Sequence, residues 1–181
     1  MKYFKKLEGK TIYLSPMSLD DAETYTKWLN DFEVTNGLGN SSKIFTVEGE
    51  NEWLETVLKK GEYSFAIVDL KTDILLGSCG FNKLDSCRQT GTVGIFIGEK
   101  ENRGKGIGTE ALSLLIEFGF DYLNLNNINL DVYSFNKGAV KCYEKVGFKK
   151  YGVRHEVYPL KGKLYDLISM EILKKDYREG K

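Results

Sequence analysis

The chain has 181 residues, enough for one domain with a substantial core, and its 41% hydrophobic and 29% charged content is that of an ordinary globular protein. Lysine plus arginine equals aspartate plus glutamate at 26 each, so no net field draws the chain to nucleic acid or to an anionic membrane. No apolar stretch has signal-peptide or bilayer-spanning length, and three cysteines without a C-x-x-C pair beside one histidine argue against a metal site and suit a reducing cytoplasm.

In chain order, Thr11–Leu14 predicts a short first strand, and Pro16 with Ser18 and Asp20–Asp21 announces a helix through Trp28–Leu29. A second helix is expected over Val47–Lys60, with Trp53, Leu54, Val57 and Leu58 on one stripe. Three extended segments follow, Tyr63–Asp69, Ile74–Asn82 and Gln89–Gly98, joined by the turn-forming runs Lys71-Thr72-Asp73 and Asp85-Ser86. After a glycine cluster, Leu112, Leu115, Ile116, Gly119 and Leu123 recur at helical spacing, and Asn127–Tyr133 returns as a strand, which implies a parallel crossover. Asn136–Val146 reads as a helix closed by Gly147, and Phe148–Val157 with Lys163–Leu173 as a hairpin turning at Leu160-Lys161-Gly162. The sum is an α+β arrangement, a mixed, mostly antiparallel sheet with helices on both faces, in a single domain over residues 1–181.

The informative stretch is Val93-Gly94-Ile95-Phe96-Ile97, running through Glu99–Asn102 into Arg103-Gly104-Lys105-Gly106-Ile107-Gly108-Thr109 directly before an amphipathic helix. Backbone N–H groups at a helix N-terminus, glycines that let a ligand approach the chain, and the charges of Arg103 and Lys105 together predict a pyrophosphate cradle. A P-loop is excluded, because counting from Gly98 the spacing is off by one and Gly106 follows Lys105 where Ser or Thr is required. A dinucleotide fold has Gly106-Ile107-Gly108-Thr109-Glu110-Ala111 and Asp131 in its favour, but a long turn separates these glycines from the strand and too little chain follows. A glycine-rich turn without a ligand is the third reading. Cys79, Cys87 and Cys142 read as space-filling thiols, since Cys–His chemistry would have to recruit His155.

At these residues the sequence resembles the GNAT N-acetyltransferases, whose signature is Arg or Gln, two residues, Gly, one residue, Gly or Ala. Ser134-Phe135-Asn136, Ala139, Tyr143 and Gly147-Phe148 are similar to the family's second block, S-x-N-x-x-A-x-x-x-Y-x-x-x-G-F. Similarity to the branch of ribosomal-protein N-terminal and spermidine acetyltransferases extends to Trp28-Leu29-Asn30-Asp31 and Gly162-Lys163-Leu164-Tyr165-Asp166. The resemblance implies a sheet splayed between its fourth and fifth strands, with acetyl-coenzyme A (acetyl-CoA) in the gap and direct transfer to a primary amine. The amine classes it suggests are peptide N-termini, amino sugars, polyamines and aminoglycosides.

It further implies that pantetheine pairs with the backbone near Ile95, Phe96 and Ile97, that the diphosphate lies on Arg103–Thr109, and that Asn136 and Ala139 contact the cofactor. Tyr143 corresponds to the family's general acid. Relatives often carry a glutamate base two residues before the glycine matching Gly94, but here that position is Thr92, so Glu156 is the first substitute, with Asp31 and Glu33 behind it. Trp28, Asp31, Phe32 and Tyr158 are candidates for the acceptor pocket, with Tyr165 near them, although such aromatics equally fill cores. Relatives commonly pair as homodimers. A catalytically weak acetyl-CoA sensor of the same fold is the rival that Thr92 keeps open, beside an NAD-binding domain.

Overall fold

Among the described residues, three of the six α-helices start where an oxygen-bearing side chain takes an orphan amide of the first turn. In the computed structural model, which describes residues 2–61 and 63–180, the chain runs β1 (Leu7–Glu8), β2 (Ile12–Pro16), α1 (Ala22–Leu29), α2 (Phe32–Leu38) and α3 (Val47–Lys60). It continues through β3 (Ser64–Asp69), β4 (Leu75–Asp85), β5 (Thr90–Ile97), α4 (Ile107–Asp121), β6 (Asn127–Tyr133), α5 (Lys137–Val146), β7 (Lys149–Leu160), β8 (Lys163–Leu173) and α6 (Lys174–Glu179). Asp31 caps α2 through the amide of Glu33, Thr46 caps α3 through that of Gly49, and Asn136 caps α5 through that of Ala139.

The chain falls into two compact units: one holds the chain through Gly80 with Ile95–Leu114, the other Phe81–Gly94 with the chain from Leu115 onward. In the first unit β1, β2, β3 and β4 are antiparallel neighbours in that order. Ile12–Ser15 and Phe65–Val68 are buried without alternation, the pattern of strands covered on both faces. One cluster packs Tyr25 and Trp28 of α1, Val34 of α2 and Leu54 and Val57 of α3 on Tyr13, Ala66 and Val68.

In the second unit β5 and β6 are parallel from Thr90↔Asn127 to Thr92↔Asn129, where their ladder ends although both strands continue. Among the described residues this parallel pair joins the fourth and fifth long strands over three positions. β6 pairs antiparallel with β8 over seven residues, and β8 with β7. Lys161 (φ 49°) and Gly162 (φ 77°) make the left-handed two-residue turn that the twist of a β7–β8 hairpin favours. Gly119 lets α4 lie close to the sheet, since a Cβ there would come within 2.9 Å of Ile128 Cδ1 and 2.7 Å of the Phe81 ring.

The antiparallel β6–β8–β7 arrangement rules out the dinucleotide alternative, which requires parallel strands after β6, and Asp131 is occupied by the Ser169 hydroxyl at 2.6 Å. Two helices go beyond the sequence expectation. α2 forms over Phe32–Leu38 despite its Asn36-Gly37 pair, because Asp31 caps one end, left-handed Gly39 (φ 74°) closes the other, and Val34 and Thr35 are buried between. α6 follows β8 with Tyr177 packed on Phe120 at 5.5 Å.

Glu50 on α3 is buried, and its Oε2 has no hydrogen-bond partner among the described residues. Burial raises its pKa, so the native state holds that proton more tightly than the unfolded chain. Stability is therefore greatest below the unfolded value of about 4.3 and falls as pH rises from there through the raised native value. Thermal melts of Glu50→Gln are expected to show a higher Tm than the parent at pH 7.5, with the difference shrinking as pH falls towards 4.

Candidate active site

The glycine loop follows directly from the end of β5. Gly98 donates its amide to Leu76 O at 2.9 Å and lies under the Trp28 indole so closely that a Cβ there would stand 2.1 Å from Cδ2. A 3₁₀ turn over Lys100–Asn102 leads to Arg103, and α4 opens at Ile107. Gly104 (φ 75°) and Gly106 (φ 88°) are left-handed, and a Cβ on either would meet no atom within 4 Å. The first helical bond of α4 is Glu110 N to Gly106 O at 3.0 Å. Among the described residues the amides of Gly104, Lys105, Gly106, Ile107 and Gly108 thus make no hydrogen bond within the chain, and they open a fifteen-residue helix. Five successive free donors at the positive end of a helix dipole form an anion site.

The charges around this loop are sorted in a way its sequence does not reveal. The Arg103 guanidinium donates Nε–H to Ile97 O (3.2 Å) and Nη2–H to Gly98 O (2.7 Å), and its Nη1 lies 3.6 Å from Glu33 Oε2. Lys100 Nζ takes the other Glu33 oxygen at 2.8 Å. Glu99 accepts from Lys27 Nζ (2.6 Å) and from the Trp28 indole N–H (2.9 Å), and these two donors hold its carboxyl below the usual range. Lys105 is exposed and has no ion-pair partner among the described residues.

Glu110, in the first turn of α4, would oppose an anion were its charge free. Burial pushes its carboxyl up, but the Thr11 hydroxyl (2.5 Å), the Thr11 amide (2.9 Å) and the Lys10 amide outweigh this and hold it ionised and fully engaged. The same contacts fasten the β1–β2 turn to the helix. Of the acceptor candidates in this unit, Trp28 is 3% exposed and packs edge-to-face with Tyr25 and Phe96, which makes it a core residue. Asp31 is committed as a helix cap, and Phe32 is 61% exposed.

In the second unit Tyr143 is buried on α5 with its ring edge-on to Phe148 at 5.9 Å. Among the described residues its hydroxyl has no hydrogen-bond partner. Burial, with a smaller contribution from Cys142, raises its pKa well above that of an ordinary phenol, so it carries its proton across the working range. Asn136 Oδ1 accepts from the Ala139 amide at 3.2 Å, which fixes the start of α5. The Thr92 hydroxyl donates to Asn129 Oδ1 at 2.8 Å and offers no base.

Glu156 is exposed in a bulge of β7, left-handed at φ 53°, with its amide donating to Asp166 Oδ1 at 2.9 Å. Asp166 also faces His155 Nδ1 at 3.4 Å. Tyr158 is half-buried and stacks on Tyr133 at 4.0 Å, in a group that includes Phe135 and Tyr165.

Comparison with known proteins decides what such a loop belongs to. A family model described as an acetyltransferase (GNAT) domain matches residues 11–149. YjcK of Bacillus subtilis (strain 168), named a probable N-acetyltransferase, is 33% identical over 94% of this chain and 98% of its own. An uncharacterized N-acetyltransferase, p20 of Bacillus licheniformis, is 30% identical over 94% and 97%. The chain belongs to the GNAT acetyltransferase family. Its fold matches the spermidine N-acetyltransferase of Vibrio cholerae, solved with CoA and spermine, at a TM-score of 0.83 and 21% identity, over 94% of this chain and 99% of that one.

A GNAT acetyltransferase takes its acetyl group from acetyl-CoA, which is thus the cosubstrate here. The residues present fit it: free amides, an unpaired lysine, and two glycines over open space meet what a diphosphate needs. The roles of Glu33, Glu99 and Glu110 are tertiary, set by partners 67, 72 and 100 positions away, and no local pattern announces them. No helix among the described residues is long and apolar enough to cross a membrane.

Proposed function

We propose that this GNAT protein transfers the acetyl group of acetyl-CoA to a primary amine by direct attack. The observation that carries the reading is the run of unpartnered amides from Gly104 to Gly108, in a loop whose glycines leave the space above it open. These amides, with Thr109 and Lys105, hold the diphosphate, while Ile95, Phe96 and Ile97 offer backbone groups to the pantetheine amides. Asn136 and Ala139 contact the cofactor at the start of α5. An amide near Phe96 or Ile97 stabilises the charge that develops on the acetyl oxygen.

Acetyl-CoA supplies an activated thioester, and the chain supplies the proton. The amine attacks the acetyl carbon, the carbon–sulfur bond breaks, and Tyr143 donates its phenolic proton to the departing sulfur. The phenol is suited to this because burial keeps it protonated, and a thiolate in similar surroundings is made more basic by the same desolvation. The attacking amine loses its proton through water to Glu156, an exposed carboxylate that solvent can reach.

The acceptor is a small molecule or a peptide amine. A polyamine is not preferred: the polar run over residues 36–43, NGLGNSSK, contains no acid that a polycation would need. Three cysteines that form no disulfide among the described residues suit work in a reducing cytoplasm. A thiol-release assay with acetyl-CoA against peptides, amino sugars, aminoglycosides and polyamines tests the reading. Turnover of at least one class is expected; tight acetyl-CoA binding with no turnover of any class would leave a sensor in place of an enzyme.

A further inference from the structure

Arg103 opens the glycine signature and stands next to the anion site, which makes it the obvious phosphate ligand. Its geometry points another way. Two of its guanidinium nitrogens donate to successive carbonyls at the end of β5, Nε to Ile97 O and Nη2 to Gly98 O, and the third, Nη1, faces Glu33. Only a planar fork spans two adjacent carbonyls in this manner, and the carboxylate beside it cancels much of the charge an anion would feel. Lys105, two residues on, is exposed and unpaired among the described residues.

We propose that Arg103, backed by Glu33, is a positioning residue for the end of β5 and that Lys105 supplies the loop's charge to the diphosphate. The proposal rests on the acetyl-CoA reading above. β5 needs such support at this point because its last residues lie beyond the β5–β6 ladder, which ends at Thr92↔Asn129. Arg103 clamps the strand end from the loop side, the Trp28 indole covers Gly98, and the Gly98 amide is anchored on Leu76 O. Glu33 carries the clamp to α2, so the helix nearest Phe32 and the strand that presents Phe96 and Ile97 are tied through one carboxylate.

The test separates the two halves of the cofactor. Coenzyme A and S-acetylpantetheine, which lacks the diphosphate, are titrated calorimetrically into the parent, Arg103→Gln and Lys105→Ala, and kcat/KM is measured with acetyl-CoA and with S-acetylpantetheine as acetyl donors. Arg103→Gln is expected to weaken both ligands by the same factor, about tenfold, since it removes a charge-assisted clamp on the strand they share. Lys105→Ala is expected to weaken coenzyme A by about tenfold and leave S-acetylpantetheine unchanged. Faster amide hydrogen exchange at Phe96–Gly98 in ligand-free Arg103→Gln would support the clamp, since a phosphate ligand has no effect before the ligand arrives.

A loss confined to coenzyme A in Arg103→Gln overturns the proposal. Should that variant unfold, Glu33→Gln replaces it: an equal weakening of both ligands supports the clamp, whereas tighter coenzyme A binding, from a guanidinium freed to turn to the phosphates, sinks it. A parent protein that binds neither ligand overturns the cofactor reading itself, a result distinct from any of these.

Discussion

Tyr143→Phe is expected to lower kcat by about a hundredfold or more while the coenzyme A dissociation constant and Tm stay near the parent's. The substitution removes one oxygen that has no hydrogen-bond partner among the described residues and keeps the ring in its edge-on contact with Phe148. Neither packing nor a buried polar network is disturbed, so the usual structural explanations for lost activity do not apply. The proton on this phenol is held by burial first and by Cys142 second, which places its ionisation above the ordinary phenol value of about 10. The parent's rate should accordingly climb with pH as the acceptor amine loses its proton and show no descending limb below about pH 10. Single-turnover rates across pH check both points. A Tyr143→Phe enzyme with parental kcat removes the phenol from the chemistry, whatever the rest of the site does.

The ascending limb bears on the base. Thr92 is engaged with Asn129 and cannot take a proton near neutrality, and Glu156 sits in solvent on a bulge. An exposed carboxylate without the help of burial can only relay a proton through water, and the amine's own ionisation then dominates the profile. This is a weaker catalytic device than a desolvated glutamate on the splayed strand. With Glu156 as the proposed base, acceptors whose amine is already partly neutral, such as a peptide N-terminus with an ordinary pKa of about 7.7–8.0, would be favoured over alkylamines near 10.

What sequence could and could not reveal follows from the range of each interaction. The strands β5, β6 and β8 and the helices α3 and α5 are written locally, in apolar periodicity, in the caps Thr46 and Asn136, and in the closing glycines Gly61 and Gly147, and their expected limits fall within two residues of those observed. The glycine loop is likewise local: Gly104 and Gly106 are placed where the backbone turns left-handed. α2 escaped notice because its sequence, FEVTNGL, has weak helical propensity and is held by burial of Val34 and Thr35, which only the folded unit provides. The role of Arg103 escaped for a related reason. A guanidinium looks the same in sequence whether it faces a phosphate or the carbonyls of Ile97 and Gly98, and the choice is made by Glu33 on a distant helix. Trp28 presents the opposite case, an aromatic suited to a pocket that Gly98 and Phe96 draw into the core.

Gly106→Val should raise the dissociation constant of coenzyme A by about a hundredfold with little change in Tm. At φ 88° a β-branched residue pays a steric penalty that the loop relieves by rotating its peptide planes, and the planes that rotate are those aiming the free amides of Lys105–Gly108. The added methyls also enter the open space beside Gly106, where an added Cβ meets no atom within 4 Å and where the proposed diphosphate would lie. Stability is spared because no ladder or buried group depends on these amides. Gly162→Val is the matched control: Gly162 has a similar left-handed φ of 77° and equally open surroundings, but it turns the β7–β8 hairpin. Backbone strain alone would lower Tm there without moving the coenzyme A dissociation constant. Calorimetric titration of both variants separates the effects, and a Gly106→Val protein that binds coenzyme A as tightly as the parent would remove the diphosphate from this loop.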